Sequence, residues 1–214
     1  MAGLSDTRTA RAARRRDDRR RVIVQKAKEL LTSSGPEGFT LAAVAAACDL
    51  ARPSVAYYFP DIRALAGAVV IELLAEEADA LAAAVDAEPD DLRAPEVVLR
   101  VKVDLYAGDP GRFRAVYIWP LVLGLPAEVV ARDAVAIGNR VNDRLEARLL
   151  AARAAGRLHA DVDPRRTANV AWLTANGVLS FVQSIAMLGG DTRFPLIALT
   201  EEAAGILRRG LRAP

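Results

Sequence analysis

Residues 40–65 read Thr40-Leu41-Ala42-Ala43-Val44-Ala45-Ala46-Ala47-Cys48-Asp49-Leu50-Ala51-Arg52-Pro53-Ser54-Val55-Ala56-Tyr57-Tyr58-Phe59-Pro60-Asp61-Ile62-Arg63-Ala64-Leu65. Thr40 is a suitable N-cap, because its hydroxyl can accept from a backbone N–H that has no helical partner. Leu41, Val44, Ala45 and Cys48 then recur at helical spacing and give a short helix one apolar face. Asp49-Leu50-Ala51 breaks it. A second short helix is predicted over 52–59, with Pro53 in its first turn, where a missing N–H costs no helical bond. Asp61 caps a longer helix reaching about Val85. Two short helices across a three- to four-residue break describe a helix-turn-helix, in which the first braces the second and the second lays its N-terminal residues in the DNA major groove.

Upstream, Ile23, Ala27, Leu30 and Leu31 mark a helix over 17–32 that Gly35 follows. Downstream, turn residues leave helical patterns over 94–107, 111–123, 126–155, 164–188 and 195–212. The 214 residues include 43 Ala and only 5% aromatics, and no stretch alternates β-branched with polar residues. Alanine is the best helix former and a poor strand former. The expected fold class is all-α. It comprises a disordered basic arm (1–16), a three-helix DNA-binding domain (17–65) and a helical effector-binding and dimerisation domain (66–214).

The net charge of +2 is unevenly placed. Residues 1–21 carry Arg8, Arg11, Arg14, Arg15, Arg16, Arg19, Arg20 and Arg21 against Asp6, Asp17 and Asp18, a net +5. A basic arm suggests an anionic partner; the alternative is a solvated tail. With a single Cys (Cys48) and a single His (His159), a four-ligand zinc site and a disulfide framework are not expected. A Cys–His or Ser–His nucleophile pair is disfavoured for the same reason. Cys48 reads as a small apolar residue and His159 as an exposed loop residue. No apolar run follows the arginines, so export is not expected. The uncharged stretch 167–190 is long enough to span a bilayer. It carries too many polar side chains for lipid and reads as a buried helix instead.

Within the second short helix, Arg52 can form a bidentate pair with guanine, and Ser54 can reach base edges. Tyr57 and Tyr58 offer hydroxyls to phosphates. Phe59 reads as core. The segment 44–65 resembles the DNA-binding segment of the TetR (tetracycline-repressor) family of bacterial regulators. Ala27, Leu30, Gly35 and Phe39-Thr40 fall where that family has its first helix, loop and second-helix cap. Gly156-Arg157-Leu158 with Asp161-Val162-Asp163-Pro164 resembles the loop before its eighth helix. Three positions depart from the family. Asp49 stands where Gly is usual in the turn, Ala56 where Tyr is common, and Ile62 where a phosphate-contacting Lys is usual. Arg63 is the nearest replacement for that Lys. Candidate DNA contacts are therefore Arg19, Arg20, Thr40, Arg52, Pro53, Ser54, Tyr57, Tyr58 and Arg63.

In the uncharged helix Asn169, Asn176 and Gln183 recur every seven residues beside Trp172 and Leu179. The opposite face holds Leu173, Gly177, Ser180 and Ser184. Either the amides are satisfied locally in a core helix, or they line a cavity while the small face packs on another helix. The second reading is preferred because three amides on one buried face need partners. A further candidate wall is Tyr106, Phe113, Tyr117 and Trp119, where Pro120 should kink or end its helix. The expected ligand-binding residues are Tyr106, Phe113, Tyr117, Trp119, Trp172, Asn176 and Gln183, with nearby charge limited to Arg112, Arg114 and Arg140. Trp119 and Asn176 are both expected to lie outside the reading head. The ligand expected is flat or lipophilic, neutral or weakly anionic, and not a metal ion.

The resemblance implies a cytoplasmic homodimeric regulator, usually a repressor. It would bind a double-stranded operator and a small-molecule effector, with no cofactor, no catalytic residues and no membrane partner. Dimerisation would use the last two helices through Leu173, Gly177, Ser180, Ser184, Leu199 and Ile206. The rivals are a helical enzyme or binding protein acting on an apolar small molecule, and an adaptor whose arm binds RNA or membrane. The first lacks paired buried carboxylates and a usable His. For the second, a membrane partner would call for apolar residues among the arginines of 14–21, and none are present.

Overall fold

The computed structural model describes the backbone of residues 3–125 and 127–213. Among these described residues ten helices follow one another: α1 (Gly3–Ser34), α2 (Leu41–Ala47), α3 (Arg52–Tyr58), α4 (Ile62–Ala87), α5 (Ala94–Ala107), α6 (Pro110–Tyr117), α7 (Trp119–Val122), α8 (Ala127–Ala154), α9 (Pro164–Met187) and α10 (Leu196–Leu211). No strand occurs among the described residues, and one isolated bridge joins Leu158 to Arg212.

The expected caps at Thr40 and Asp61 form, and Asp163 caps α9 in the same way. Thr40 Oγ1 accepts from the Ala43 N–H at 3.1 Å, Asp61 Oδ1 from Ala64 at 2.8 Å, and Asp163 Oδ1 from Arg166 at 2.7 Å. Asp49 takes the left-handed conformation of the helix-turn-helix turn (φ 53°), one that Asp tolerates better than most non-glycine residues. The Leu50 N–H then donates back to the Ala45 carbonyl at 2.9 Å.

Two expectations are corrected. Residues 3–16, expected as a disordered arm, continue α1 as unbroken helix; residues 1 and 2 lie outside the described residues. Ala and Arg are strong helix formers, and 4–34 contains neither Gly nor Pro, so nothing stops the helix from propagating upstream. The single helix expected over 111–123 is instead α6 and α7, parted at Ile118. Pro120 has no N–H to donate to Val116, and its ring crowds that carbonyl. The first residue of the helix expected at 126–155 lies outside the described residues, and α8 covers the rest to Ala154.

The chain divides into two compact units, Met1–Leu73 with Gly111–Ala131 and Leu74–Pro110 with Arg132–Pro214. The segment 111–131 therefore groups with the head rather than with the body expected from 66 onward. In the first unit Ile23, Leu31, Val44, Val55, Phe59 and Leu65 are buried, joining the apolar stripes of α1, α2, α3 and α4. Lys28 donates to Glu72 at 2.7 Å across the same unit. In the second unit α5, α9 and α10 pack on one another through Leu99, Ala175 and Ala204. Leu81, Val85, Val98, Leu145 and Ala168 form a second cluster. Leu92, Leu149, Leu158 and Leu211 form a third, beside which the His159 N–H donates to the Leu211 carbonyl at 2.9 Å. By length and composition α9 could cross a membrane, but Ala168, Ala171, Ala175 and Leu179 turn one face of it into this core.

Candidate nucleic-acid interface and effector-site residues

The first turn of α3 is presented to solvent. Arg52, Pro53 and Ser54 are exposed, while Val55 and Phe59 point inward and are 0% and 3% exposed. This is helical periodicity at work: one face anchors the helix and the other is left to read. Tyr57 is 68% exposed and meets half-buried Tyr58 edge-on, with centroids 5.2 Å apart. Phe59 is the core aromatic the sequence suggested. Thr40 and Arg63 are exposed on the same unit. From α1, the Arg16 guanidinium lies 5.6 Å from the Tyr57 ring centroid and that of Arg20 5.0 Å from Phe59. Arg19 borders a cleft of about 460 Å³ with Leu50, Pro53, Ser54, Tyr57 and Tyr58. Cys48 is half-buried, and burial pushes its thiol up.

The residues expected to line one effector wall fall in different units. Phe113 and Tyr117 meet at a tilt in the first unit, with centroids 5.0 Å apart. There a side-chain carbon at Gly35 would meet the Trp119 ring at 3.6 Å, so Trp119 sits on the turn that follows α1. This corrects its expected place outside the reading head. Tyr106, Trp172, Asn176 and Gln183 belong to the second unit.

Tyr106 and Trp172 there surround a buried ion pair that the sequence reading missed. Lys102 and Glu77 are 0% and 3% exposed, and Lys102 Nζ donates to Glu77 Oε1 at 2.6 Å. The Tyr106 hydroxyl donates to Glu77 Oε2, and the Trp172 indole N–H donates to Oε1 at 3.3 Å. The Lys102 ammonium also lies 4.3 Å from the Trp172 ring centroid. Burial pushes the Lys102 ammonium down to about 8, against the opposing pull of Glu77. The expectation of only arginine charge near the wall is thus wrong. The overlooked signal is position: Lys102 falls on the Leu99–Val103–Tyr106 stripe, and Glu77 on the Leu73–Leu81 stripe.

The three amides of α9 do not share one buried face. Asn169 is exposed and donates to the Arg165 carbonyl at 2.9 Å, whereas Gln183 is buried. A seven-residue repeat drifts around a straight helix by about 20° per heptad, which carries Asn169 off the inward face. Asn176 is half-buried, and its Oδ1 is buried with no hydrogen-bond partner. On the other side of α9, Leu173 (58% exposed), Gly177, Ser180 and Ser184 are exposed, as are Val170 and Phe181; on α10 Ile206 is exposed and Leu199 half-buried.

Comparison with known proteins agrees with this geometry. Residues 23–69 match the family described as "Bacterial regulatory proteins, tetR family". Among curated proteins none matches the chain. Solved structures are similar in fold. A TetR/AcrR-family transcriptional regulator from Thermobifida fusca YX-ER1 is 18% identical at a TM-score of 0.70, with 92% of this chain and 100% of that one covered. A protein from Rhodococcus sp. RHA1 is 22% identical at 0.70, covering 91% and 96%. A TetR-family regulator from Mesorhizobium loti MAFF303099 is 16% identical at 0.67, covering 92% and 98%. The solvent-facing first turn of α3 and the α2–α3 turn both lie within the matched residues. This chain carries the DNA-binding domain of the TetR family.

Proposed function

We propose that the chain is a dimeric, ligand-responsive repressor that leaves its operator when a small lipophilic or aromatic effector binds. Each copy sets α3 in the major groove of one half-site, with Arg52 and Ser54 at base edges and Thr40, Tyr57, Tyr58 and Arg63 at phosphates. The observation that carries this reading is the solvent-facing Arg52-Pro53-Ser54 turn, anchored from behind by buried Val55 and Phe59. The exposed apolar faces of α9 and α10 support pairing of two copies through those helices.

The effector site belongs to the second unit, beside Trp172, Asn176 and Gln183. The buried Lys102–Glu77 ion pair lies beside it, with Glu77 accepting from the Trp172 indole. The unpartnered Asn176 Oδ1 calls for a hydroxyl or amide donor. Effector release of DNA requires only that the effector bind the non-reading conformation better than the reading one. The working compartment is the cytoplasm, where the DNA is.

A gel shift with the DNA flanking the chain's own gene tests the reading. A specific, competitor-resistant complex supports it, and binding no better than to scrambled DNA overturns it. A thermal-shift screen of apolar compounds with one or two hydroxyl groups then identifies the effector class.

A further inference from the structure

The TetR-family match begins at residue 23, whereas α1 begins at Gly3, so 3–22 is helix outside the matched domain. Arg11, Arg15 and Arg19 follow one another at four-residue spacing and therefore share one helix face. With Arg16 they border a cleft of about 840 Å³ whose other side is Tyr57 and Tyr58 of α3. The cleft at Arg19 shares those tyrosines and runs on to Pro53 and Ser54. A basic track thus joins the upstream part of α1 to the start of the reading helix. The nearby acids do not cancel it. Asp18 is held by Arg21 at 3.2 Å, and Asp17 falls on the far side of the helix from Arg15.

We infer that the Arg11–Arg15–Arg16–Arg19 cleft is a second nucleic-acid contact that grips the phosphodiester backbone of duplex DNA flanking the bases read by α3. The inference rests on the DNA-binding reading above. A guanidinium held over an aromatic ring, as Arg16 is over Tyr57, still has N–H groups to offer phosphate oxygens. Because the segment is already helical, little chain entropy is lost when DNA arrives. A lipid surface is disfavoured, since the only apolar side chains at 10–21 are those of alanine. From Arg11 back to Gly3 the helix projects about 12 Å further, enough to reach phosphates beyond the half-site.

The test uses the full-length dimer, and Arg11→Ala/Arg15→Ala and Arg16→Lys variants, with circular dichroism to confirm that helix content is kept. Fluorescence anisotropy on the chain's own upstream duplex, on a version trimmed of its flanks and on scrambled DNA gives the salt dependence of each. The log–log slope is expected to fall by about 0.9 for each phosphate no longer neutralised, close to 1.8 for the double variant. This fall should be equal on specific and scrambled duplexes and absent on the trimmed one. Arg16→Lys should lower the slope by less than half as much, since it keeps the charge and removes only the planar guanidinium over Tyr57. An unchanged slope in a double variant whose parent binds its duplex overturns the cleft and leaves the repressor reading standing. Failure of the parent on every duplex overturns both. Loss of binding to an RNA hairpin, with duplex DNA unaffected, overturns the assignment to DNA.

Discussion

Arg52 is exposed at the first position of α3, where its fork can match guanine O6 and N7. Arg52→Ala should cost about 1–3 kcal/mol on the specific duplex and much less on scrambled DNA. Equal losses on both, measured by anisotropy, would make Arg52 a phosphate contact. In the second unit the Lys102–Glu77 pair is wholly buried, and removal of one partner strands the other's charge. Glu77→Leu or Lys102→Met alone should each cost about 3–5 kcal/mol in urea unfolding, whereas the double variant should recover most of it. Additive losses would show that the pair is held by its other neighbours rather than by each other. The same lysine gives a pH signature. In the unfolded chain it titrates near the ordinary lysine value of 10.5 and in the fold at about 8. Between these values the unfolded chain holds a proton that the folded one has released, so the parent's stability should rise with pH from about 8 to 10.5. Below about 8 both forms are protonated and this contribution is flat. The parent-minus-variant difference for the double variant isolates it.

At the scale of the element, α9 has two faces with different duties. Its alanine face is spent on α5 and α10, where small side chains let the helices approach closely. Its other face leaves Val170, Leu173 and Phe181 exposed, and exposed apolar side chains gathered on one face mark interaction surfaces. If that face pairs two copies, Leu173→Glu should weaken the dimer by well over tenfold, because an unpaired carboxylate buried there costs several kcal/mol. Sedimentation velocity would then show monomer where the parent is dimer. An unchanged dimer would move the interface to another surface. Thermal stability of the monomer should change little, since Leu173 is exposed within the single chain.

For the whole molecule, the separation of the aromatic residues into two units makes different predictions for each. Asn176→Ala removes the amide whose Oδ1 has no hydrogen-bond partner. It should leave operator affinity unchanged and raise the effector concentration needed for release by about two- to tenfold, the worth of one hydrogen bond. Trp119→Ala removes the ring that rests against the turn after α1, within the head. It should lower operator affinity even without effector. Titration of both variants with DNA, then with effector, separates the two. Operator binding by Trp119→Ala equal to the parent's would return Trp119 to a role outside the head.

Most of this chain's helices could be placed from its sequence because their ends are written locally. Thr40, Asp61 and Asp163 cap their own helices, Asp49 makes its own turn, and Pro120 breaks its own helix. Each of these depends on a few consecutive residues. The exposed first turn of α3 was legible for the same reason, since Val55 and Phe59 fix which side faces inward. Three things were decided by the fold alone. The upstream arginines became helix because nothing interrupted α1, a matter of propagation rather than charge. Segment 111–131 joined the head although it follows α5 in sequence. Glu77 and Lys102, 25 residues apart on neighbouring helices, became one buried ion pair. Spacing within a helix shows which side chains share a face. Which charge meets which across two faces depends on how the helices pack, and no periodicity in the chain records it.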